Sequence, residues 1–175
     1  EIEAEARHDV IAFLTNVNEY VGDAGRYIHV GMTSSDVLDT ALSLQIVASH
    51  KLILTHTENL IQAIRYKAQE HRDTVMIGRS HGIHAEPMTF GFKLAGWLAE
   101  MQRHRERLTR IHDEIAVGQI SGAVGTYANI DPEVEELACQ LLGLQPDTAS
   151  TQVISRDVHA EFIMTLAGLG ASIER

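Results

Sequence analysis

The chain has 175 residues, 45% of them hydrophobic, and a formal net charge of −10. The hydrophobic fraction excludes a disordered chain. The negative charge argues against nucleic-acid binding, which depends on neutralising phosphates. A small anionic substrate remains compatible with that charge, because a pocket can be locally basic inside an acidic protein. Since no apolar run approaches the roughly 20 residues of a membrane span, and a single cysteine excludes an intramolecular disulfide, we expect a soluble, cytoplasmic protein that binds no membrane.

The first part of the chain predicts two helices. Residues 3–20 follow a helical period, and the glycines at positions 22 and 25 end it. Thr33-Ser34-Ser35-Asp36 predicts the start of the next helix, because hydroxyl and carboxylate side chains satisfy free N–H groups there. That helix is expected to run to about Arg72. Its first half is apolar nearly all round, so we expect other chains to cover it.

The rest of the chain predicts three more helices joined by polar loops. Residues 74–87 are non-periodic, and a second long helix begins at Pro87. Residues 118–129 are rich in Gly, Ser and Ala and form a loop, after which Asp131-Pro132-Glu133 begins a short helix. A last helix starts at about Asp157. No strand alternation is evident, so the predicted fold class is all-α, a long-helix bundle.

Four polar segments interrupt the helices and are candidates for chemistry: residues 7–9, 29–36, 78–86 and 152–157. The segment at 33–36 could bind a carboxylate or phosphate through free N–H groups, or it could be a plain helix cap. Residues 7–9 could equally form a salt-bridged triplet at the surface. Residues 152–157 could be a loop that leads into an acidic helix start.

The densest polar segment is Gly78-Arg79-Ser80-His81-Gly82-Ile83-His84-Ala85-Glu86-Pro87. Its glycines allow close backbone approach or a sharp turn, and its histidines can exchange protons near neutral pH. A helix-to-helix connection with surface histidines is the structural alternative. A metal site at His81 and His84 is less favoured, because Gly82 and Pro87 oppose a helix and no further ligand completes a set. We therefore expect no metal.

Five stretches, in order along the chain, carry a family resemblance: RHDVIAF (7–13), HVGMTSSDVLDTAL (29–42), GRSHGIHAEPMTFGFK (78–93), SGAVGTYANID (121–131) and TQVISRD (151–157). Together they resemble the adenylosuccinate lyase family, within the fumarase and aspartase superfamily. The HDVIAF that follows an arginine and the HGIHAEP stretch narrow the choice to this family. Ser80 stands where relatives often have Thr, and it keeps the hydroxyl.

The resemblance also implies a domain organisation. Residues 1–31 would end an N-terminal domain, and residues 32–175 would form part of the central helical-bundle domain. The family's serine base lies on a loop with the pattern Ser-Ser-x-Met-Pro-x-Lys-x-Asn-Pro, and this sequence contains no such pattern. Neither end carries a helix start or stop signal. We therefore expect a piece of a longer polypeptide that is inactive by itself.

The reaction that the resemblance implies is a β-elimination. Fumarate leaves adenylosuccinate to give AMP, and it also leaves the succinylated aminoimidazole carboxamide ribotide. His81 is implied to be the general acid for the leaving nitrogen, without a cofactor. The implied substrate-binding residues are Arg7, His8 and Asp9 for the nucleotide, Thr33 and Ser34 for a carboxylate, and Gln152, with His29 and Lys93 as further pocket residues. The active site would combine three subunits of a homotetramer.

Three alternatives remain open at this point. Another superfamily lyase or a carboxymuconate-type cycloisomerase could use the same scaffold. A non-catalytic helical oligomerisation module would suit the missing serine loop, and a metal-binding helical protein is the third. The histidines within predicted helices are expected on or beside polar faces and are assigned no function: His50, His56, His71, His104 and His112.

Overall fold

Helices dominate the structure, a computed structural model that describes residues 1–174, and this confirms the predicted fold class. The elements in chain order are α1 (Ile2–Ala6), α2 (Asp9–Val21), a 3-10 helix (Gly22–Tyr27), α3 (Ser34–Glu70), β1 (Val75–Ser80), β2 (Ile83–Thr89), α4 (Phe90–Ile115), β3 (Val117–Gly118), α5 (Pro132–Leu142), β4 (Gln145–Pro146) and α6 (Arg156–Glu174). β1 and β2 pair antiparallel, whereas the two-residue strands β3 and β4 pair parallel.

The chain divides into two compact units. Unit 1 contains Glu1–Ile46 and Ile115–Val158, and unit 2 contains Val47–Glu114 with the residues from His159 onward. This division describes packing within the 174 residues. The predicted domain boundary at residue 31 concerns the longer protein and stays a prediction.

Unit 1 is held by buried polar groups as much as by apolar ones. Asp36, Asp39 and Glu135 are at most 5% exposed, although all three carry carboxylates. Buried carboxylates require hydrogen-bond donors, because desolvation without them is costly. The buried Cys139 thiol packs in the same unit, and burial raises its pKa to about 11. Cys139 is therefore a protonated core residue and not a nucleophile at neutral pH.

Unit 2 has an apolar core between helices. The buried side chains of Ile61, Met101, Leu108 and Leu169 pack together, surrounded by partly buried aliphatic residues. Ile61 and Leu108 are fully buried, and each such side chain contributes about 1.5–3 kcal/mol by leaving water. α3, α4 and α6 supply this core, as the predicted helical periods required.

The first predicted helix is wrong in one respect, because it is two helices. Arg7 closes α1 in the left-handed conformation (φ 52°), and its N–H donates to the Glu3 carbonyl at 2.8 Å. His8 is extended and caps α2. The interruption places Arg7 and His8 on a kinked connection, and Asp9 in the first turn of α2.

The expectation that residues 74–87 lack a strand is also wrong, because this segment forms most of a β-hairpin. β1 and β2 are joined by His81 and Gly82, both with positive φ, as in a type I′ turn. Gly78 forms a bulge, and a Cβ there would lie 2.8 Å from the Glu86 carbonyl oxygen. Pro87 pairs with Ile77 inside the hairpin, so α4 begins at Phe90 and not at Pro87.

Two of the helical histidines are buried, contrary to expectation. His50 is 2% exposed, and its Nε2 lies 2.8 Å from the Leu108 carbonyl oxygen. His104 is 5% exposed, with Nε2 2.8 Å from Ser172 Oγ. Burial lowers the pKa of His104, so its ring is neutral at neutral pH. Both rings link helices of unit 2, a packing role that periodicity alone did not reveal.

One helix within residues 1–174 is long and apolar enough to cross a membrane by length and composition. It is α3, whose most apolar 18-residue window has a mean hydropathy of 1.3. The same helix buries Asp36 and Asp39 in unit 1 and Ile61 in the core of unit 2. Core helices of soluble proteins pass the same composition test, and 22% of this window is buried within the described residues.

Candidate active site

The imidazole of His8 lies between two helix starts of unit 1. Its Nδ1 accepts a hydrogen bond from the Ile11 N–H at 3.4 Å, which caps α2. Its Nε2 lies 3.4 Å from Ser34 Oγ in the first turn of α3. Nδ1 also lies 3.4 Å from Asp9 Oδ1, so the ring has a contact at each nitrogen, with Nε2 facing Ser34. His8 and Asp9 are solvent-accessible, with side-chain exposures of 46% and 71%.

The first turn of α3 is fixed from inside by Asp36. Its Oδ2 accepts hydrogen bonds from the Thr33 N–H at 2.9 Å and the Gly122 N–H at 3.1 Å. Its Oδ1 accepts from the Gln119 Nε2 at 3.0 Å and the Ser121 N–H at 3.3 Å. Four donors and the positive end of the helix dipole compensate the 1% exposed carboxylate. The Thr33 and Ser34 side chains are only half-buried.

Gln119 connects this turn to the predicted substrate-contacting residue Gln152. The Gln119 amide is fully buried, and its Nε2 also donates to the Gln152 carbonyl at 2.9 Å. The Gln119 backbone is held in turn by the Thr40 hydroxyl, which donates to its carbonyl at 2.9 Å and accepts from its N–H at 3.0 Å. The residue at 152 is exposed, so its backbone is anchored while its side chain stays accessible.

The glycine-rich loop at residues 118–129 is ordered by a second buried carboxylate. Glu135 accepts from the Ile120 N–H and from the Tyr127 hydroxyl, each at 2.6 Å. The hydrogen bond to Glu135 raises the pKa of Tyr127 to about 12. Gly125 has φ +79°, and a Cβ there would lie 2.1 Å from the Ser150 carbonyl oxygen. This loop therefore tolerates little change at its contact with the next segment.

A third buried carboxylate, Asp39, anchors the chain before α6. It accepts from the Ile154 N–H at 2.9 Å and forms a bidentate pair with Arg156, at 2.9 and 3.1 Å. Two parallel N–H···O bonds of this kind fix geometry as well as adding energy. Carboxylates in the first two turns of α3 thus hold both predicted site segments: Asp36 bonds within 33–36, and Asp39 bonds to 151–157.

His81 occupies the tip of the β1–β2 hairpin in unit 2. Its backbone is left-handed (φ 52°), and both His81 and His84 are exposed. Nearby in unit 2, Lys93 lies 5.5 Å from the Trp97 ring centroid in a cation–π contact. A shallow groove beside the hairpin is lined by Met76, Ile77, Gly78, Arg79, Met88 and Lys93. The hairpin turn presents the imidazole without enclosing it.

The structure brings together some of the predicted residues. His8 contacts Ser34 and Asp9. Hydrogen bonds through the Asp36 and Gln119 side chains connect the backbones of Thr33 and Gln152. Arg7 precedes His8 directly, and its guanidinium has no ion-pair partner among residues 1–174. His81 and Lys93 belong to the other unit.

Sequence reasoning missed the buried supports Gln119, Asp39 and Glu135, and treated Asp36 only as a helix cap. A signal for two of them was present, because Asp36 and Asp39 interrupt a run that is otherwise apolar. A carboxylate on the buried side of an apolar helix needs donors from elsewhere in the fold. His29, a further pocket candidate, has φ 70° and a buried Nε2 that has no hydrogen-bond partner within residues 1–174.

The chemistry that unit 1 offers is anion binding. Half-buried hydroxyls at a helix N-terminus, an imidazole N–H and a free guanidinium favour carboxylates and phosphates. Unit 2 offers an accessible imidazole suited to proton transfer. Within residues 1–174, no group of three or more His, Cys, Asp or Glu side chains is arranged to hold a metal ion.

Comparison with known proteins identifies the family of the chain. All residues from 1 to 175 match the family described as Lyase. The chain therefore belongs to this lyase family.

Individual relatives show which members are similar. The chain is 78% identical over all 175 residues to the adenylosuccinate lyase of Synechocystis, and it spans 41% of that protein's length. Among solved structures, a fumarate lyase from Mesorhizobium aligns with TM-score 0.90 and 34% identity, over 97% of this chain and 41% of the other. The 3-carboxy-cis,cis-muconate lactonizing enzyme of Pseudomonas putida aligns with TM-score 0.88 and 32% identity, over 97% and 40%.

Proposed function

We propose that this chain is a segment of an adenylosuccinate lyase. The enzyme would release fumarate from adenylosuccinate to give AMP, and from the succinylated aminoimidazole carboxamide ribotide, in the cytoplasm and as a homotetramer. The observation that carries the proposal is the 78% identity to an enzyme of that name over all 175 residues.

The anion-binding features of unit 1 support this substrate class. The substrate carries a phosphate and two carboxylates, and a helix N-terminus with accessible hydroxyls suits such groups. In the proposal, Thr33 and Ser34 bind a carboxylate. Arg7, His8 and Asp9 bind and orient the nucleotide, and the exposed side chain of Gln152 contacts the substrate.

His81 is proposed to donate the proton that the leaving nitrogen requires. The base must remove a proton beside a carboxylate, and the resulting carbanion is stabilised by donors that are already in place. An imidazole suits the acid role because its ordinary pKa lies near neutral pH. Its exposed position at a hairpin tip supports the proposal, since a donor that reaches into a site must be accessible.

The serine base is proposed to lie on a segment outside this sequence, because no Ser-Ser-x-Met-Pro pattern occurs in it. A polypeptide limited to these 175 residues is therefore expected to have negligible lyase activity. Exposed aliphatic side chains on α3, among them Leu38 at 50% and Leu52 at 63%, support the proposed burial of this helix against other subunits.

The test compares two proteins. The natural polypeptide and the 175-residue segment are purified, and conversion of adenylosuccinate to AMP is followed by ultraviolet absorbance. We expect steady turnover by the natural polypeptide and none above background by the segment. An inactive natural polypeptide would contradict the proposed substrate, and an active segment would contradict the proposed location of the base.

A second candidate is a carboxymuconate-type cycloisomerase, favoured by the structural similarity to the lactonizing enzyme. The identity of 32% to that protein, against 78% to the adenylosuccinate lyase, makes it the weaker candidate. Lactonization of 3-carboxy-cis,cis-muconate by the natural polypeptide, without adenylosuccinate cleavage, would establish it instead.

A further inference from the structure

We propose that Asp36 and Gln119 are positioning residues that fix the substrate-binding groups of unit 1 relative to one another. They form a buried hydrogen-bond relay from the first turn of α3 to residue 152. This inference rests on the proposed function for the identity of the substrate. The relay touches only the inner side of the site, so neither residue is a catalytic residue.

The relay has three hydrogen bonds in sequence. The Thr33 N–H donates to Asp36 Oδ2 at 2.9 Å, Gln119 Nε2 donates to Asp36 Oδ1 at 3.0 Å, and the same Nε2 donates to the Gln152 carbonyl at 2.9 Å. These contacts join residues separated by 83 and by 33 positions in the chain. A small change at either relay residue therefore shifts two binding segments relative to each other.

The energetics favour a fixed geometry. Hydrogen bonds to a buried charged group are stronger than those between neutral groups, and an unpaired buried group is costly. Asp36 has four donors, and the Nε2 of the fully buried Gln119 is paired, whereas its Oε1 has no hydrogen-bond partner within residues 1–174. Neither side chain has an alternative partner in water. Binding groups need such preorganisation, and the buried side chains that support them provide it.

Glu135 provides a comparison within the same unit. It is also a buried carboxylate, and it also holds the loop that contains Gln119, through the Ile120 N–H and the Tyr127 hydroxyl. It makes no hydrogen bond to residue 33 or 152 within the described chain. A substitution at Glu135 therefore reports the cost of loosening the loop without breaking the relay.

The experiment measures steady-state kinetics on adenylosuccinate for variants of the natural polypeptide. Asp36→Asn and Gln119→Met keep the side-chain size but break the relay, and Glu135→Gln is the matched control. Because the relay positions binding groups and not the proton donor, we expect KM to rise about tenfold or more, with kcat changed less than about threefold. The control is expected to keep KM within about twofold of the wild type.

A further variant, Gln119→Glu, adds a readout that a purely structural role would not move. An ionised Glu at position 119 would stand beside the Asp36 carboxylate and the Gln152 carbonyl and repel both. At lower pH the pair shares a proton, and the O–H replaces the lost N–H donor. Other ionisable groups hold the neighbouring backbone: Glu135 through the Ile120 amide, and the Asp39–Arg156 pair through the Ile154 amide. The KM ratio of Gln119→Glu to wild type is expected to fall as pH is lowered from about 8 to about 6. For Gln119→Met this ratio should be flat.

Hydrogen exchange measured by mass spectrometry gives a second result that is independent of substrate. Asp36→Asn is expected to increase exchange at the amides of Thr33, Ser121 and Gly122 together, whereas Glu135→Gln leaves the Thr33 amide protected. An inactive wild type would overturn the proposed substrate and leave this measurement to decide the relay. Folded relay variants with wild-type KM, or an Asp36→Asn variant with unchanged exchange at Thr33, would overturn the relay itself.

Discussion

The first turn of α3 and the tip of the β1–β2 hairpin both carry residues of the proposed active site, but they are held in different ways. At the first turn, Asp36 is 1% exposed and accepts four hydrogen bonds, one from the neighbouring Thr33 N–H and three from the loop at residues 118–129. At the hairpin tip, His81 is exposed, and its place is set by a two-residue turn. One region is fixed by contacts distant in sequence, and the other by local backbone geometry.

This difference in how the two regions are held would separate substrate binding from proton transfer within one chain of the proposed enzyme. In the proposed enzyme, binding groups held by buried hydrogen bonds are already in position before a ligand arrives. An exposed imidazole on a hairpin has no such support from its own surroundings, so its final orientation depends on what covers it. In the proposed tetramer, neighbouring subunits would provide that cover.

The largest expected effect is at the hairpin. In the natural polypeptide, His81→Gln should lower kcat on the order of 10³-fold, because a general acid contributes about 10²–10⁴-fold to the rate. KM should change little. Steady-state absorbance kinetics measure both constants.

His84→Gln is the matched control for that variant, since His84 is an equally exposed histidine two residues beyond the turn. It should retain near-normal kcat. A His81→Gln enzyme with near-normal turnover would remove His81 from the acid role.

A smaller effect compares Gly125, in the loop whose residues donate to Asp36, with Gly82 in the hairpin turn. Gly125→Ala should lower the free energy of unfolding by about 3 kcal/mol or more, because its Cβ would lie 2.1 Å from the Ser150 carbonyl oxygen. Gly82→Ala should lower it by about 1 kcal/mol, because the turn has positive φ but open space around it. Urea denaturation at one fixed protein concentration measures both values.

Gly143→Ala serves as the control in unit 1, since Gly143 has φ +72° and an added Cβ there would have no other atom within 4 Å. It should behave like Gly82→Ala. Equal losses for Gly125→Ala and Gly143→Ala would show that the loop is not closely packed against residue 150.

The smallest expected effect is at Tyr127. Its folded pKa of about 12 lies above the ordinary value of 10.0 because it donates to Glu135. The stabilisation is therefore fully present below about pH 10 and is lost as pH rises towards 12. Tyr127→Phe should cost about 1 kcal/mol at neutral pH, and the difference from wild type should shrink in alkaline solution.

Urea denaturation between about pH 8 and pH 11 checks this sign. Tyr20→Phe is the control, because the Tyr20 side chain is 80% exposed and should show no such pH dependence. A Tyr127→Phe difference that grew with pH would contradict the assigned hydrogen bond.

Much of the helical architecture could be predicted from the sequence, because helix starts and stops carry local signals. Asp131 caps α5 and its side chain accepts from the Glu133 N–H at 3.0 Å, and Gly143 ends the helix, as predicted. The hairpin could not be predicted by alternation, because both of its faces are largely exposed and the Gly78 bulge shifts its register. Strand patterns are informative only when one face is buried.

The site residues could be named by motif, but their supports could not. Gln119 and Glu135 gain their roles from contacts with residues distant in sequence, and no spacing rule connects position 119 with positions 36 and 152. The roles assigned to His81, Thr33 and Gln152 stay predictions.

The positive φ of His81 has a consequence for anyone who engineers this protein for heat resistance. Asn and Gly accept that backbone conformation more readily than other residues, so a search guided by thermostability alone would favour them at position 81. Such a variant would be more robust and, if the imidazole is the proton donor, almost inert. A substitution at position 81 would then raise stability and lower turnover together, and a mutant library selected for thermostability should keep this position unchanged.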